Sequence, residues 1–207
     1  PDVNATLRTM FQKARDSSVP LDTIERAVKR GIGELEGVDY ESITYEGYAP
    51  HGVALYMETL TDNRNRTGSE VRSLLSKNGG SLAEPGAVAW QFERKGVVLL
   101  EGTVDEDEIM VVALDAGAED LLDEDGTWRL TCEATDLPDV REALEAAEIP
   151  FMNAEVTMLA TTTVAIDNVE HARAVLRLLD ILDDNDDIQD VHANFDIPAD
   201  VMEALED

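Results

Sequence analysis

The sequence predicts an α+β protein of three domains: a small helical N-terminal domain and two ferredoxin-like α/β domains, one inserted in the other. Three observations carry that expectation. Apolar residues ahead of residue 40 recur at helical spacing. Residues 96–161 contain a complete βαββαβ cycle. Residues 42–95 and 162–197 read as β-β-α-β and β-α-β, neither with enough helices to cover a sheet alone. The expected domains are therefore 1–39, the discontinuous pair 40–95 with 162–207, and the inserted 96–161.

Each element has a local reason. In "NATLRTMFQKARDSS", Leu7, Met10, Phe11 and Ala14 make one apolar helix face. "LDTIERAVKRG" follows Pro20, turns Ile24, Ala27 and Val28 to one side and stops at Gly31. "GIGELEGVDY" reads as a linker. Period-two alternation in "SITYEGYAPHGVALYMETLT" predicts two strands joined around Pro50-His51-Gly52. The next helix carries a Thr67–Glu70 capping box, an apolar face of Val71, Leu74 and Leu75, and a stop at Gly79-Gly80. "GAVAWQFE" (86–93) reads as a third strand.

In the inserted cycle, strand "VVLLEG" leads to a helix boxed by Asp105 and Glu108. Two strands flank "DEDG", a helix enters through Asp136 and Pro138, and "FMNAEVTMLA" closes the cycle. "TTTVAI", a helix boxed by Asp167 and Glu170, and "IQDVHANFDI" complete the outer domain.

The chain has 207 residues, is 43% apolar and 29% charged, and carries a net charge of −29. The charge is uneven. Residues 1–61 hold six basic and ten acidic side chains, residues 62–95 six and four, and residues 96–207 four and 31. An acidic surface of this kind favours solubility or a basic partner. "DDNDDIQDVHAN" (183–194) offers alternate oxygen ligands, but it lacks the glycine at loop position 6 and the glutamate at 12 that an EF-hand requires. No apolar run approaches the roughly 18 residues that span a bilayer, so no membrane partner is expected. The lone Cys132, in the strand "TWRLTCEA", reads as a core residue, and a cytoplasmic, reducing location follows as the expectation.

No chemistry-bearing motif emerges. His51, His171 and His192 have no ligand spacing, and no P-loop, G-x-S-x-G or G-x-G-x-x-G is present. Neither an enzymatic activity nor a cofactor or metal is expected. What remains is a basic island, "LTDNRNRTGSEVRSLLSKNGG", with Arg64, Arg66, Arg72 and Lys77 against Asp62 and Glu70. Arg64 and Arg66 are placed ahead of a helix N-terminus, where amides and macrodipole favour an anion, and arginine forks suit phosphate oxygens. Arg8, Lys13, Arg15, Arg26, Lys29 and Arg30 of the helical part extend the candidate surface. No recognition helix rich in Arg, Asn and Gln stands out.

The stretch "YEGYAPHGVALYMETLTDNRNRTGSEVRSLLSKNGGSLAEPGAVAWQFERKGVV", preceded by "IERAVKRGIGELEGVDYESI" and followed by "ALDAGAED", resembles the YebC/PmpR family. The mitochondrial relatives of that family include the translational activator of cytochrome c oxidase. The resemblance implies a transcriptional regulator that binds DNA, or a ribosome-associated factor acting on RNA, with three domains around a central cleft. It also implies a strongly basic helical segment with a Gly-His-Ser-Lys-Trp motif, which this sequence does not contain. The family's Gly-Pro-Gly-Gly turn is Ala49-Pro50-His51-Gly52 here. The expectation is a nonenzymatic, monomeric regulator whose partner is nucleic acid, either promoter DNA or RNA within a ribosome. An acidic protein-interaction module is the other reading.

Overall fold

In the computed structural model, residues 5–16, 18–32, 40–124 and 126–206 are described. They form a mixed α/β structure with antiparallel sheets, grouped into two compact units: residues 1–37 with 94–158, and residues 38–93 with 159–207.

In the first unit, helices α1 (Ala5–Asp16) and α2 (Leu21–Gly31) form where the 3,4 spacing places them. Ser18 turns the chain between them at φ 58°, and the Val19 amide donates to the Ala14 carbonyl at 2.9 Å. Ile24 is buried, and a groove of about 530 Å³ between the helices is lined by Met10, Phe11, Ala14 and Val28. Most of the expected linker, residues 33–39, lies outside the described residues. The remaining elements are β4 (Phe92–Glu101), α4 (Glu106–Leu114), β5 (Ala118–Glu124), β6 (Thr127–Glu133), α5 (Leu137–Ala146) and β7 (Asn153–Ala160).

Their spatial order is β5-β6-β4-β7. The strands nearest in sequence to each helix are thus separated by a neighbour, as split βαβ units require. Val98, Leu100 and Leu130 from the sheet meet Ile109, Ala113, Val140 and Leu144 from the helices in one core. Cys132 lies in that core, and burial pushes its thiol up to about 11. Strand β5 is an edge strand, and Glu119, Asp120, Asp123 and Glu124 along it are exposed. Asp105 caps α4 by accepting from the Glu108 amide at 3.1 Å, as the sequence indicated.

The second unit is built on the hairpin of β1 (Glu41–Tyr48) and β2 (Ala54–Thr61), paired from Glu41↔Thr61 to Tyr48↔Ala54. The connection is a 3-10 turn, Pro50–Gly52, in which His51 and Gly52 both take positive φ, 66° and 82°. A non-glycine at His51's conformation is strained, and its ring stacks on that of His171 with centroids 3.6 Å apart. Helix α3 (Arg64–Lys77) and a two-residue strand β3 (Ser81–Leu82) follow. From the C-terminal half come β8 (Val164–Ala165), α6 (Val169–Asp183), β9 (Ile188–Ala193), β10 (Phe195–Asp196) and α7 (Ala199–Glu206). The sheet order is β3-β1-β2-β9, and β8 pairs with β10 in a separate parallel ribbon. Leu55 and Met57 of the sheet pack with Val71 and Leu75 of α3 and with Val175, Leu178 and Leu182 of α6.

The structure corrects four local expectations. Helix α3 begins at Arg64 under an Asn63 cap, so Thr67 is interior and not the cap. Asn168, not Asp167, caps α6, accepting from the amides of Glu170 and His171. "IQDVHANFDI" splits into β9 and β10, and α7 after it carried too short a pattern to be read.

The fourth correction is the expected strand 86–93. It is instead a loop with a 3-10 turn at Ala89–Gln91, and β4 begins only at Phe92. Its cause is Glu46. That carboxylate, 7% exposed, accepts from the amides of Gly86 (2.6 Å), Val88 (2.7 Å) and Ala89 (2.8 Å), which removes those donors from any ladder. Burial works to raise the Glu46 carboxyl, but the three amides overcome it and hold it below the ordinary glutamate range. Glu46→Gln replaces one acceptor oxygen with a donor facing those amides. It is expected to cost about 1–3 kcal/mol, measured by urea unfolding against the wild-type chain.

Candidate nucleic-acid interface

The site begins where β2 hands the chain to α3. The Thr61 hydroxyl accepts from the Asn63 amide at 2.9 Å, and the Asn63 side chain accepts from the Arg66 amide at 3.1 Å. Together they stop the strand and start the helix within three residues. Behind them Asp187, 9% exposed and just ahead of β9, receives the Thr67 hydroxyl at 2.6 Å. Arg66 Nη2 straddles both oxygens of Asp187 at 2.9 and 2.8 Å and reaches Asp62 at 3.0 Å. Hydrogen bonds from Arg66 and Thr67 hold the Asp187 carboxyl below the usual aspartate range. The Asp187 contact in turn raises Arg66. Arg66 therefore anchors the first turn of the helix to the entry of β9, between two carboxylates.

Arg64 and Arg72 differ. Both are exposed, and among the described residues neither has an ion-pair partner. They stand at i and i+8 with Gly68 midway, on one side of α3. With Tyr45, Asn65, Ser69 and Leu82 they line an open depression of about 450 Å³. Tyr45 sets its floor. Its hydroxyl donates to the Arg64 carbonyl at 3.2 Å, and a Cβ on Gly68 would stand 3.2 Å from the Tyr45 hydroxyl oxygen. Desolvation raises the Tyr45 hydroxyl against the lowering effect of Arg64, so it stays a neutral donor. The depression thus pairs two unneutralised guanidinium groups with amide and hydroxyl groups, a donor set fitted to phosphate oxygens.

Lys77 is exposed in the last turn of α3, roughly 140° around the axis from Arg72 at 100° per residue. A cation at that position complements the helix C-terminus. It does not join the Arg64–Arg72 depression. The other nominated residues lie in the first unit. Lys13 pairs with Glu155 at 3.1 Å, and Arg26 with Asp22 at 3.5 Å. Arg15 sits over the Phe11 ring at 5.6 Å, and Lys29 is exposed. Arg8 lines a small cavity with Lys13 and Arg141, and the side chain of Arg30 lies outside the described residues.

Sequence reading missed Asp187, Glu46 and the His51–His171 stack. Asp187 did lie in the oxygen-rich stretch 183–194, but its partner is a guanidinium 121 positions earlier and not a cation from solution. Arg66→Gln is expected to destabilise the second unit at neutral pH, and by progressively less as pH falls below about 4. The sign follows from the depressed Asp187 carboxyl: its stabilisation is complete above the ordinary aspartate pKa and is lost as pH falls through the lower, folded value. Denaturant unfolding at the two pH values checks this.

Comparison with known proteins agrees in sequence and in fold. Residues 40–195 match the family described as the TACO1/YebC second and third domain. A protein from Kineococcus radiotolerans named "Probable transcriptional regulatory protein" is 52% identical over 208 residues, 99% of this chain and 82% of the relative. One of the same name from Halothermothrix orenii is 49% identical over 208 residues, with the same coverage. The crystal structure of a conserved hypothetical protein from Aquifex aeolicus superposes with a TM-score of 0.84 at 42% identity, covering 96% of this chain and 82% of that one. With the family model spanning most of its length and relatives near half identical over nearly all of it, the chain belongs to the TACO1/YebC family.

Proposed function

We propose that this protein is a nonenzymatic regulator that acts by binding nucleic acid in the cell interior, with Arg64 and Arg72 of α3 gripping the phosphate backbone. The observation that carries the reading is the pair of exposed guanidinium groups, without an ion-pair partner among the described residues, that line one depression on α3. Supporting it, relatives near half identical carry the name "Probable transcriptional regulatory protein". Arg66 positions the helix, and the basic side chains of α1 and α2 play at most an outlying part. Contacts of this kind fix register on a backbone without reading bases. Promoter DNA is the first partner to test. RNA within a ribosome is the second, favoured by the open shape of the depression and the short reach of Asn65 and Ser69 on the same face.

Fluorescence anisotropy with a labelled promoter duplex and with ribosomal RNA tests both. Affinity is expected to fall linearly on a log–log salt plot, by about 0.7–0.9 per phosphate contacted. Arg64→Glu with Arg72→Glu should weaken binding to all sequences alike and lower the slope by about two. Binding and slope that survive both changes would remove the depression from the mechanism.

A further inference from the structure

From Ile109 to Leu114 helix α4 is apolar on every side, yet one side of it lies open. The six residues of that run include no polar side chain. Ile109 and Ala113 are fully buried, and with Val112 and Ala116 they serve the core of the first unit. Val111 stands about 160° around the axis from both Ile109 and Ala113, at 100° per residue. It is 74% exposed, and Leu114, in the next turn, is 58% exposed. A helix that is apolar all round is ordinarily enclosed. Among the described residues nothing covers Val111 or Leu114.

The charge around that pair is of one sign. Asp107 and Asp115 stand one turn before and one turn after Val111, and Glu108 lies on the same half of the helix. All three are exposed, and none has an ion-pair partner among the described residues. The bias extends beyond the helix: residues 96–128 contain eleven acidic side chains and no lysine or arginine. An apolar pair rimmed by carboxylates repels a phosphate backbone or an anionic membrane, and in a second copy of this chain it would meet its own charges. The partner that complements it carries apolar side chains flanked by lysine or arginine. Attraction between the charges then steers encounter, and burial of the apolar pair lengthens the life of the complex.

We infer that the outer face of α4 is a docking surface for a basic amphipathic helix of another protein, with Val111 and Leu114 as its apolar anchors and Asp107, Glu108 and Asp115 as its charged rim. A helix fits because anchors at i and i+3 are met by a facing helix through its own i, i+3 and i+4 side chains. The inference is independent of the nucleic-acid reading. Its surface belongs to the first unit, and the Arg64–Arg72 depression belongs to the second.

The test uses the full chain and two synthetic peptides of about 18 residues, long enough to form a helix. One places leucine on one face at helical spacing and lysine on the other. The second carries serine in place of every leucine and keeps the charge. Titration calorimetry is expected to show tighter binding of the leucine peptide. Val111→Ser with Leu114→Ser should weaken that peptide about 10- to 100-fold and erase its advantage. The urea midpoint should not move, because both side chains are exposed. Asp107→Asn with Asp115→Asn should weaken both peptides and flatten the salt dependence, with the advantage of the leucine peptide retained. Equal leucine-peptide affinity in wild type and the serine variant overturns the docking surface. A lowered urea midpoint in the serine variant also overturns it, because the two side chains would then belong to the fold. So does self-association of the wild-type chain in sedimentation that the serine variant loses, which would give the face to a second copy.

Discussion

The Asp187 carboxylate is the constraint on which the second unit turns. It is buried at the entry to β9, and it ties together the end of β2, the first turn of α3 and the C-terminal half of the chain. A buried carboxylate is costly unless every lone pair is met. Here an arginine and two threonine hydroxyls supply the donors. Because α3 is seated from that point, the direction in which its exposed face points follows from Asp187. The depression on the opposite side of the helix has no such internal partner, which leaves it available to a ligand.

The rest of the charge distribution sharpens that contrast. In the first unit Lys95 is held between Glu119 and Glu133, Arg129 pairs with Glu124, and Arg141 with Glu145. Those cations are balanced within the fold, and among the described residues of that unit carboxylates outnumber them. At physiological salt the screening length is about 8 Å, so a local pair of guanidinium groups keeps its own field despite a net charge of −29. Net charge governs solubility and encounter, and the local balance of partners governs where a polyanion can dock.

Much of this was legible from residue order. Period-two alternation around Pro50-His51-Gly52 marked the β1–β2 hairpin, and the apolar spacing of Val71, Leu74 and Leu75 marked α3, because both signals are local. The strandedness of 86–93 was misread for an equally physical reason: Val88 and Phe92 alternate with Trp90 as in a strand, but Glu46, 40 positions away, takes the amides that a ladder would need. Thr67 looked like a cap, and it became an interior hydroxyl for Asp187. At the candidate site the basic island was visible, but its division into an internally matched Arg66 and unmatched Arg64 and Arg72 was not. That division depends on a carboxylate that only the folded topology brings near.

The acidic edge of β5 has a consequence for how this molecule behaves at high concentration. A free strand edge offers its backbone donors and acceptors to any other edge it meets. Here an approaching copy would bring the exposed carboxylates of Asp120 and Asp123, which no cation among the described residues pairs, toward their counterparts, and like charges across a forming ladder repel. The outer margin of that sheet is thereby insulated from polymerisation by its own side chains, and colloidal crowding is resisted at the site where it would otherwise begin.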